Sequence, residues 1–338
     1  MKILSIGGTG NISTAVTRQL ARQGHELYLI NRGSRNSELP PDVHCITADI
    51  SDEQAVAQKL KELEFDAVCD FIGFVPAQME RNFRLFAGRT KQFVFISSAS
   101  AYGKPVRDYI ITEGTTLANP YWEYSRNKIA CEEYLLRQYR EHGFPVTIVR
   151  PSHTYGERWV PVGIHGKNGC WAVLQRMLSG KPIIVQGDGT SLWTMTHSTD
   201  FAKGFIGLLG NPHAIGEAFH ITSDETLTWN QIYQAIADSL NVPYKPYHVA
   251  SGFLAAVSDY DLEGGLLGDK ANSVVFDNSK LKRAVPGFQA TVCFETGIRE
   301  TIGCMLAHKE YQTEDAEFDA WCDRVIDVLE NAKRELRR

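Results

Sequence analysis

No segment of this 338-residue chain approaches the roughly 18 consecutive apolar residues that a membrane-spanning helix needs. The seven cysteines include no C-x-x-C pair, which removes the common zinc-ribbon and dithiol redox motifs. A basic surplus is missing as well: 35 Lys and Arg stand against 40 Asp and Glu, a formal charge of -5. That balance gives no broad positive field for nucleic acid, and the terminal run NAKRELRR reads as the solvated end of a helix. Internal repeats and low-complexity linkers are absent too. With 43% hydrophobic and 22% charged residues, the chain has the composition of a globular protein that buries one large core or two modest ones. Cysteines in settings such as DAVCDF and TIGCML fit free thiols in a reducing compartment. The opening MKILSIGG is too short an apolar run for a signal peptide. The expectation is a soluble cytoplasmic protein with a small-molecule partner and neither nucleic acid nor membrane.

What is present is an alternation. Short apolar runs, KILSIG, HELYLI, HCITA, DAVCDFI, QFVFIS and PVTIVR, are separated by helix-length segments near 11–23, 52–63, 76–88 and 122–142. The runs lack polar alternation, as strands buried on both faces should, so the pattern predicts an α/β fold with a doubly wound parallel sheet. After Pro151 the texture changes to loops rich in Gly, Trp and His and ends in long helical stretches. The expected organisation is a nucleotide-binding domain over 1–150, with a returning segment near 190–210, and a smaller substrate-binding lobe with C-terminal helices over 151–338.

Directly after the first run, KILSIGGTGNIS sets Gly8, Gly10 and Ser13 in a G-x-G-x-x-S frame at the mouth of the first helix. Glycines there allow a tight turn and close approach of backbone N–H groups to a pyrophosphate, which the helix N-terminus favours. The end of the second strand discriminates NAD from NADP. An acid there binds the ribose 2′-hydroxyl, and an arginine accommodates a 2′-phosphate. LYLINRGSR supplies Asn31 and Arg32, with Arg35 nearby, which leans toward NADP; the other reading is that the arginines are solvated loop charges. Asp49 is placed either to meet an adenine edge or to cap the helix beginning near Ser51. The candidate dinucleotide contacts are therefore Gly7, Gly10, Asn11, Ile12, Asn31, Arg32, Asp49 and Ile50, joined by Lys128 and Pro151 farther along.

In YWEYSRNKIACEEY only Tyr124 has a lysine four residues on, Lys128, which puts both on one helix face. An ammonium beside a phenol favours the phenolate, so Tyr124 is expected to have a lowered pKa and to serve as acid or base. The preceding run ends in SSASAYG, at the sheet edge where ligands of such folds bind. Here the chain resembles the extended short-chain dehydrogenase/reductases, the NAD-dependent epimerase/dehydratase group. The resemblance rests on Gly7, Gly10 and Ser13, on SSASAYG, on Tyr124 with Lys128, on RPSHTYG at 150–156, and on GDGTSLWTMTHSTDFAKG farther along. It implies a Rossmann fold binding NAD(P), with Ser98, Tyr124 and Lys128 as the catalytic set. In that group the tyrosine takes a hydroxyl proton while hydride leaves the same carbon, the serine orients the hydroxyl, and the lysine holds the ribose. The implied function is an epimerase or ketoreductase of a sugar or sugar nucleotide. Homodimers pairing the helices near 76–88 and 122–142 are also common in the group.

Three departures from the family pattern stand out. Ala99 and Ser100 replace the Asp-Glu pair of the 4,6-dehydratases, which removes the acid and base for loss of water. His153 stands where an asparagine usually meets phosphate, and Trp193 stands where an arginine usually pairs with a diphosphate. A tryptophan stacks on a sugar or base but neutralises nothing. These two residues are the candidate substrate contacts, and Trp159, Trp171 and Trp193 together are either a substrate wall or core packing. The Gly- and Asp-rich stretch 257–273 is expected to form a mobile loop over the pocket. The alternative is a non-catalytic descendant that binds RNA or regulates a partner, and the retained Ser98, Tyr124 and Lys128 argue against it.

Overall fold

Seven short apolar segments pair side by side in a computed structural model that describes all 338 residues. They are β1 (Lys2–Ile6), β2 (Glu26–Asn31), β3 (His44–Thr47), β4 (Ala67–Asp70), β5 (Phe93–Ile96), β6 (Val146–Pro151) and β7 (Ala218–Ile221). All pairings are parallel, in the spatial order β7-β6-β5-β4-β1-β2-β3. The order reverses between β1 and β4, and in open parallel sheets ligands bind at such a switch point, outside the carboxyl ends of the strands.

Both faces of the sheet are covered, which is why its central strands are continuously apolar. On one face, α1 (Ser13–Arg22) contributes Val16 and Leu20, and they pack with Ile3, Leu27 and Leu29 of the sheet. On the other, α2 (Glu53–Lys59), α3 (Pro76–Phe86) and α4 (Glu123–His142) bring Val56, Met79, Leu85, Cys131 and Leu135 onto Leu4, Ile6, Phe93 and Phe95. Helix α4 ends where Gly143 adopts φ +67, and the Gly143 N–H donates to Tyr139 O at 3.0 Å. Helix α5 (Ser198–Leu208) returns to the first face beside α1, its Phe201 and Phe205 joining that core.

A third apolar core gathers Trp171, Trp193, Trp229, Tyr233, Phe294 and Trp321 from residues beyond β6. Within the stretch 257–273, expected to be a loop, Glu263–Lys270 forms a π-helix fastened by side-chain hydrogen bonds, and the α-helix Ser251–Ala256 precedes it. No helix is long and apolar enough to cross a membrane, and the seven cysteines are free thiols.

Candidate active site

The carboxyl ends of β1, β2, β3 and β4 open into a cleft of about 840 Å³ that runs from the glycine turn to Tyr124. Gly7 sits in it at φ +82, and an added Cβ there would lie 2.5 Å from Ile72 Cγ2, so the turn leaves no room for a side chain. Ser13 Oγ accepts from the Gly10 N–H at 2.8 Å. No side chain caps α1; the Thr14 N–H donates to Gly10 O at 3.0 Å, and the Ile12 and Ser13 N–H groups at its start stay available to an anion. This cradle fits a dinucleotide pyrophosphate.

At the outer end, Asn31 Oδ1 accepts from the Gly33 N–H at 2.9 Å, and its Nδ2 is buried with no protein partner. Arg32, Arg35 and Arg81 line the same end. Asp49 accepts from the Ser51 N–H at 2.9 Å and its hydroxyl at 2.7 Å. Those bonds hold its carboxyl below the usual range, helped by Arg32 and Arg81. The helix cap is Asp52, whose side chain accepts from the Ala55 N–H, so Asp49 faces the cleft and does not cap. Ile12, Asn11, Ile50 and Pro151 also line the cleft.

At the inner end, Lys128 is 2% exposed and donates to Gly73 O at 2.6 Å and Ile96 O at 2.7 Å. An ammonium has three donors, so one is left for the cleft. Burial pushes Lys128 down to about 8, with the carboxylate of Asp70 opposing. Tyr124 stands above it, with its ring 5.7 Å from the Lys128 ammonium. The expected lowering of the Tyr124 phenol does not occur in this geometry. Burial raises it, the Ser98 hydroxyl opposes, and the Asp269 carboxylate adds to the rise. The reason is that the Lys128 ammonium is itself desolvated and turned to two carbonyls rather than to the phenol oxygen.

Ser98 lies beside Tyr124 at the cleft margin. Ser125 Oγ donates to Ser100 Oγ at 2.7 Å, and Ser100 in turn lies 2.8 Å from Ser98 Oγ. Ser98 Oγ also accepts from the Ser100 N–H at 3.1 Å. Ser98 Oγ is thus held from behind by Ser100 and lies within hydrogen-bond reach of the Tyr124 hydroxyl. Beneath this serine strand, Arg150 and Glu132 form a two-point buried ion pair at 3.0 and 2.6 Å. Ser97 donates to the same carboxylate.

The two candidate substrate residues lie outside the dinucleotide cleft. His153 is partly buried near Lys270 and His165, and burial pushes it down to about 3, so it is neutral at ordinary pH. Trp193 is 3% exposed and stacks on Trp229 at 6.3 Å, and Trp171 is likewise in the core. Of the three clustered tryptophans, two are therefore packing residues first. Sequence reasoning missed Phe71, Ile72, Phe74, Gln78 and Arg81, which line the cleft after β4. The signal was available, since every strand end on this edge faces the ligand. It also missed Lys104, Asp269 and Lys270, which no local pattern marks.

A scan against protein families matches residues 3–222 to the NAD dependent epimerase/dehydratase family. Among curated relatives, 2′-dehydrokanamycin reductase of Streptomyces kanamyceticus is 27% identical over 86% of this chain and 80% of its own. The chloroplast stem-loop binding protein of 41 kDa b of Arabidopsis thaliana is 28% identical over 72% of this chain and 64% of its own. Among solved structures, the UDP-glucose 4-epimerase of Thermus thermophilus in complex with NAD superposes with a TM-score of 0.71. It is 20% identical over 90% of this chain and 99% of that one, which shows the shared fold. With the family matched over most of its length, the chain belongs to the NAD-dependent epimerase/dehydratase family and is an enzyme of the oxidoreductase or isomerase type.

Proposed function

We propose that this protein is an NADP-dependent ketoreductase or epimerase that works on a hydroxyl or keto carbon of a sugar or sugar nucleotide. The observation that carries the reading is one continuous cleft leading from an uncapped helix N-terminus to Tyr124 and Lys128, with Ser98 beside the Tyr124 hydroxyl. A nicotinamide dinucleotide held there supplies hydride chemistry. The residues of the chain do the rest. Ser98 donates to the substrate oxygen, Tyr124 gives or takes its proton, and the remaining Lys128 N–H holds the ribose.

Support for NADP comes from the outer end, where Arg32, Arg35 and Arg81 gather and β2 ends in Asn31 instead of an acid. The unpartnered Asn31 Nδ2 adds a donor for the same phosphate. Reduction is favoured over epimerisation by the burial of Trp193 in the position where the family's sugar-nucleotide epimerases carry a diphosphate-binding arginine. The reductase named among the relatives points the same way. The relative that binds a stem-loop offers the other reading, and the formal charge of -5 speaks against it here. A homodimer across α3 and α4 belongs to the same proposal and is read by light scattering.

Denaturing the purified protein and identifying released nucleotide tests the reading directly. A reductase exchanges its cofactor freely and binds added NADP, whereas an epimerase keeps a dinucleotide through purification. Failure to bind any dinucleotide overturns the enzymatic assignment.

A further inference from the structure

Beyond Tyr124, on the side away from the glycine turn, the chain buries charges that the dinucleotide does not need. Lys104 is 5% exposed, its ammonium 6.0 Å from the Trp193 ring centroid and without a hydrogen bond or ion pair. Asp269 is 9% exposed, and no hydrogen bond reaches its carboxylate. Lys270 has one long contact, to Gly265 O at 3.4 Å, and lies 6.0 Å from the Trp122 ring centroid. Burial pushes both lysines down and Asp269 up, and the Asp269 charge acts on Lys104 and on Tyr124 alike. Isolated buried charges are costly, so Lys104 and Asp269, with the half-buried Lys270 next to Asp269, call for a partner.

The backbone holding them is equally specific. Asp269 and Lys270 close the π-helix Glu263–Lys270, a form that is rare and concentrated at functional sites. Its glycines lie flush on the turn that starts α4. A Cβ at Gly268 would sit 3.1 Å from Trp122 Cβ, and one at Gly264 would strike the Trp122 ring. Asn119 Nδ2 donates to Gly268 O at 2.7 Å and Trp122 Nε1 donates to Asp261 at 2.8 Å. At the far end, Lys270 O accepts from Trp229 Nε1 and Ser191 Oγ, both at 3.1 Å. The segment is thus bolted to the helix turn that presents Tyr124.

The unused bonding capacity identifies the ligand chemistry. Donors are in excess: the Lys104 ammonium, most of the Lys270 ammonium, and Trp193 Nε1, which is buried without a partner. Two cations face Asp269; the other carboxylate whose charge reaches Lys270, Asp261, is spent on the Trp122 indole and the Gly264 N–H, and burial lowers the neighbouring His153 and His165. Asp269 offers the unspent acceptors. We propose that Lys104, Asp269 and Lys270 form a recognition site for an oxyanion, a carboxylate or phosphoester, carried on the hydroxylated ring that reacts at Tyr124. The lysines take the oxyanion and Asp269 takes an adjacent ring hydroxyl. This inference rests on Tyr124 being the reacting end of the cleft.

Calorimetric titration of D-glucose, D-glucuronate, D-glucose 6-phosphate and D-glucosamine, with and without NADP, tests it. At least one oxyanion sugar binds about tenfold or more tighter than glucose, and the better of the two distinguishes carboxylate from phosphoester. Lys104→Met and Lys270→Met bring that affinity to the glucose level while NADP binds each variant as it binds the wild type, which shows that the variants fold. Lys104→Gln serves as a second variant at the more buried position. Equal affinity for all four sugars, preference for glucosamine, no binding of either oxyanion sugar at millimolar concentration, or an oxyanion preference that survives the lysine substitutions overturns the proposal. Loss of NADP binding by the wild type sinks the cofactor assignment instead, and the sugar comparison without NADP still decides this site.

Discussion

At the dinucleotide end of the cleft, the groups that matter come from consecutive strand ends within the first 51 residues and act largely through backbone: the Gly7 turn, the uncapped start of α1, and the loop after β2. At the proposed substrate end the candidate groups come from residues 104, 153, 193 and 269–270, and they would act through side chains set on a loop, short strands and a π-helix. The contrast teaches where specificity resides. Backbone recognition of a phosphate asks only for a particular local chain path, which a few contiguous residues secure. Recognition of a particular substrate asks for charges of chosen sign at chosen points, and those are assembled by tertiary packing. Tyr124 belongs to both ends, since it borders the cleft and feels Asp269 across from it.

Separating the two ends at Tyr124 gives the largest expected effect. Tyr124→Phe keeps the ring packing against Trp122, whose centroid lies 4.9 Å away, and removes the hydroxyl proposed as proton donor. Turnover with NADPH falls by about 10²–10⁴-fold, while NADP affinity changes little. Normal turnover would remove Tyr124 from the mechanism, and a parallel loss of affinity would mean that the ring mainly holds the cofactor.

The dinucleotide end breaks most cleanly at Gly7. A side chain at φ +82 is strained and meets Ile72, so Gly7→Ala shifts the turn proposed to carry the phosphates. The expected cost is about 1–3 kcal/mol in denaturant unfolding, with NADP binding weakened by about tenfold or more. Sugar binding measured without NADP is retained, because Lys104 and Asp269 are not on that turn. Loss of sugar binding as well would show that the two ends are not separable.

Within the dinucleotide end, Arg32→Ala distinguishes a phosphate ligand from a solvated charge. The NADP dissociation constant rises about tenfold and that of NAD changes by less than about twofold. Equal changes for both cofactors would show that Arg32 does not read the 2′-phosphate.

Six of the seven strands were legible because they are short, apolar and separated by helix-length segments, a pattern that a parallel sheet covered on both faces imposes directly on sequence, whereas the seventh, Ala218–Ile221, lies in the second half of the chain and was not marked. The start of the cleft was legible for the same local reason. Lys104 could not be found this way: it stands in a loop, GKPV, and becomes buried only when Trp193, far along the chain, packs over it. The stretch 257–273 misled more actively. Glycine and aspartate suggest a mobile loop, but Gly264 and Gly268 are there to let the helix lie against Trp122 and Tyr121, and Asp261 to accept from the Trp122 indole. The expected depression of the Tyr124 phenol failed because a four-residue spacing fixes a face but not the direction of an ammonium, which here is spent on two carbonyls.

His153 provides the smallest and sharpest test of the substrate end. Its ring is held neutral, with a folded value of about 3 against 6.5 in the open chain, chiefly by burial and also by the charge of Lys270. Between those values the unfolded chain binds the proton and the folded chain does not, so stability falls as pH drops from about 6.5 toward 3. His153→Asn removes that term, and the variant's acid unfolding profile is shallower across this window while the two proteins keep the same slope above pH 7. If Lys270 contributes the lysine charge as the geometry has it, Lys270→Met reduces the same slope by a smaller amount, and combining the substitutions adds nothing beyond His153→Asn. An unchanged acid slope in His153→Asn would mean that the ring is hydrated and open to the substrate in its protonated form, which would turn a passive wall of the pocket into a proton donor.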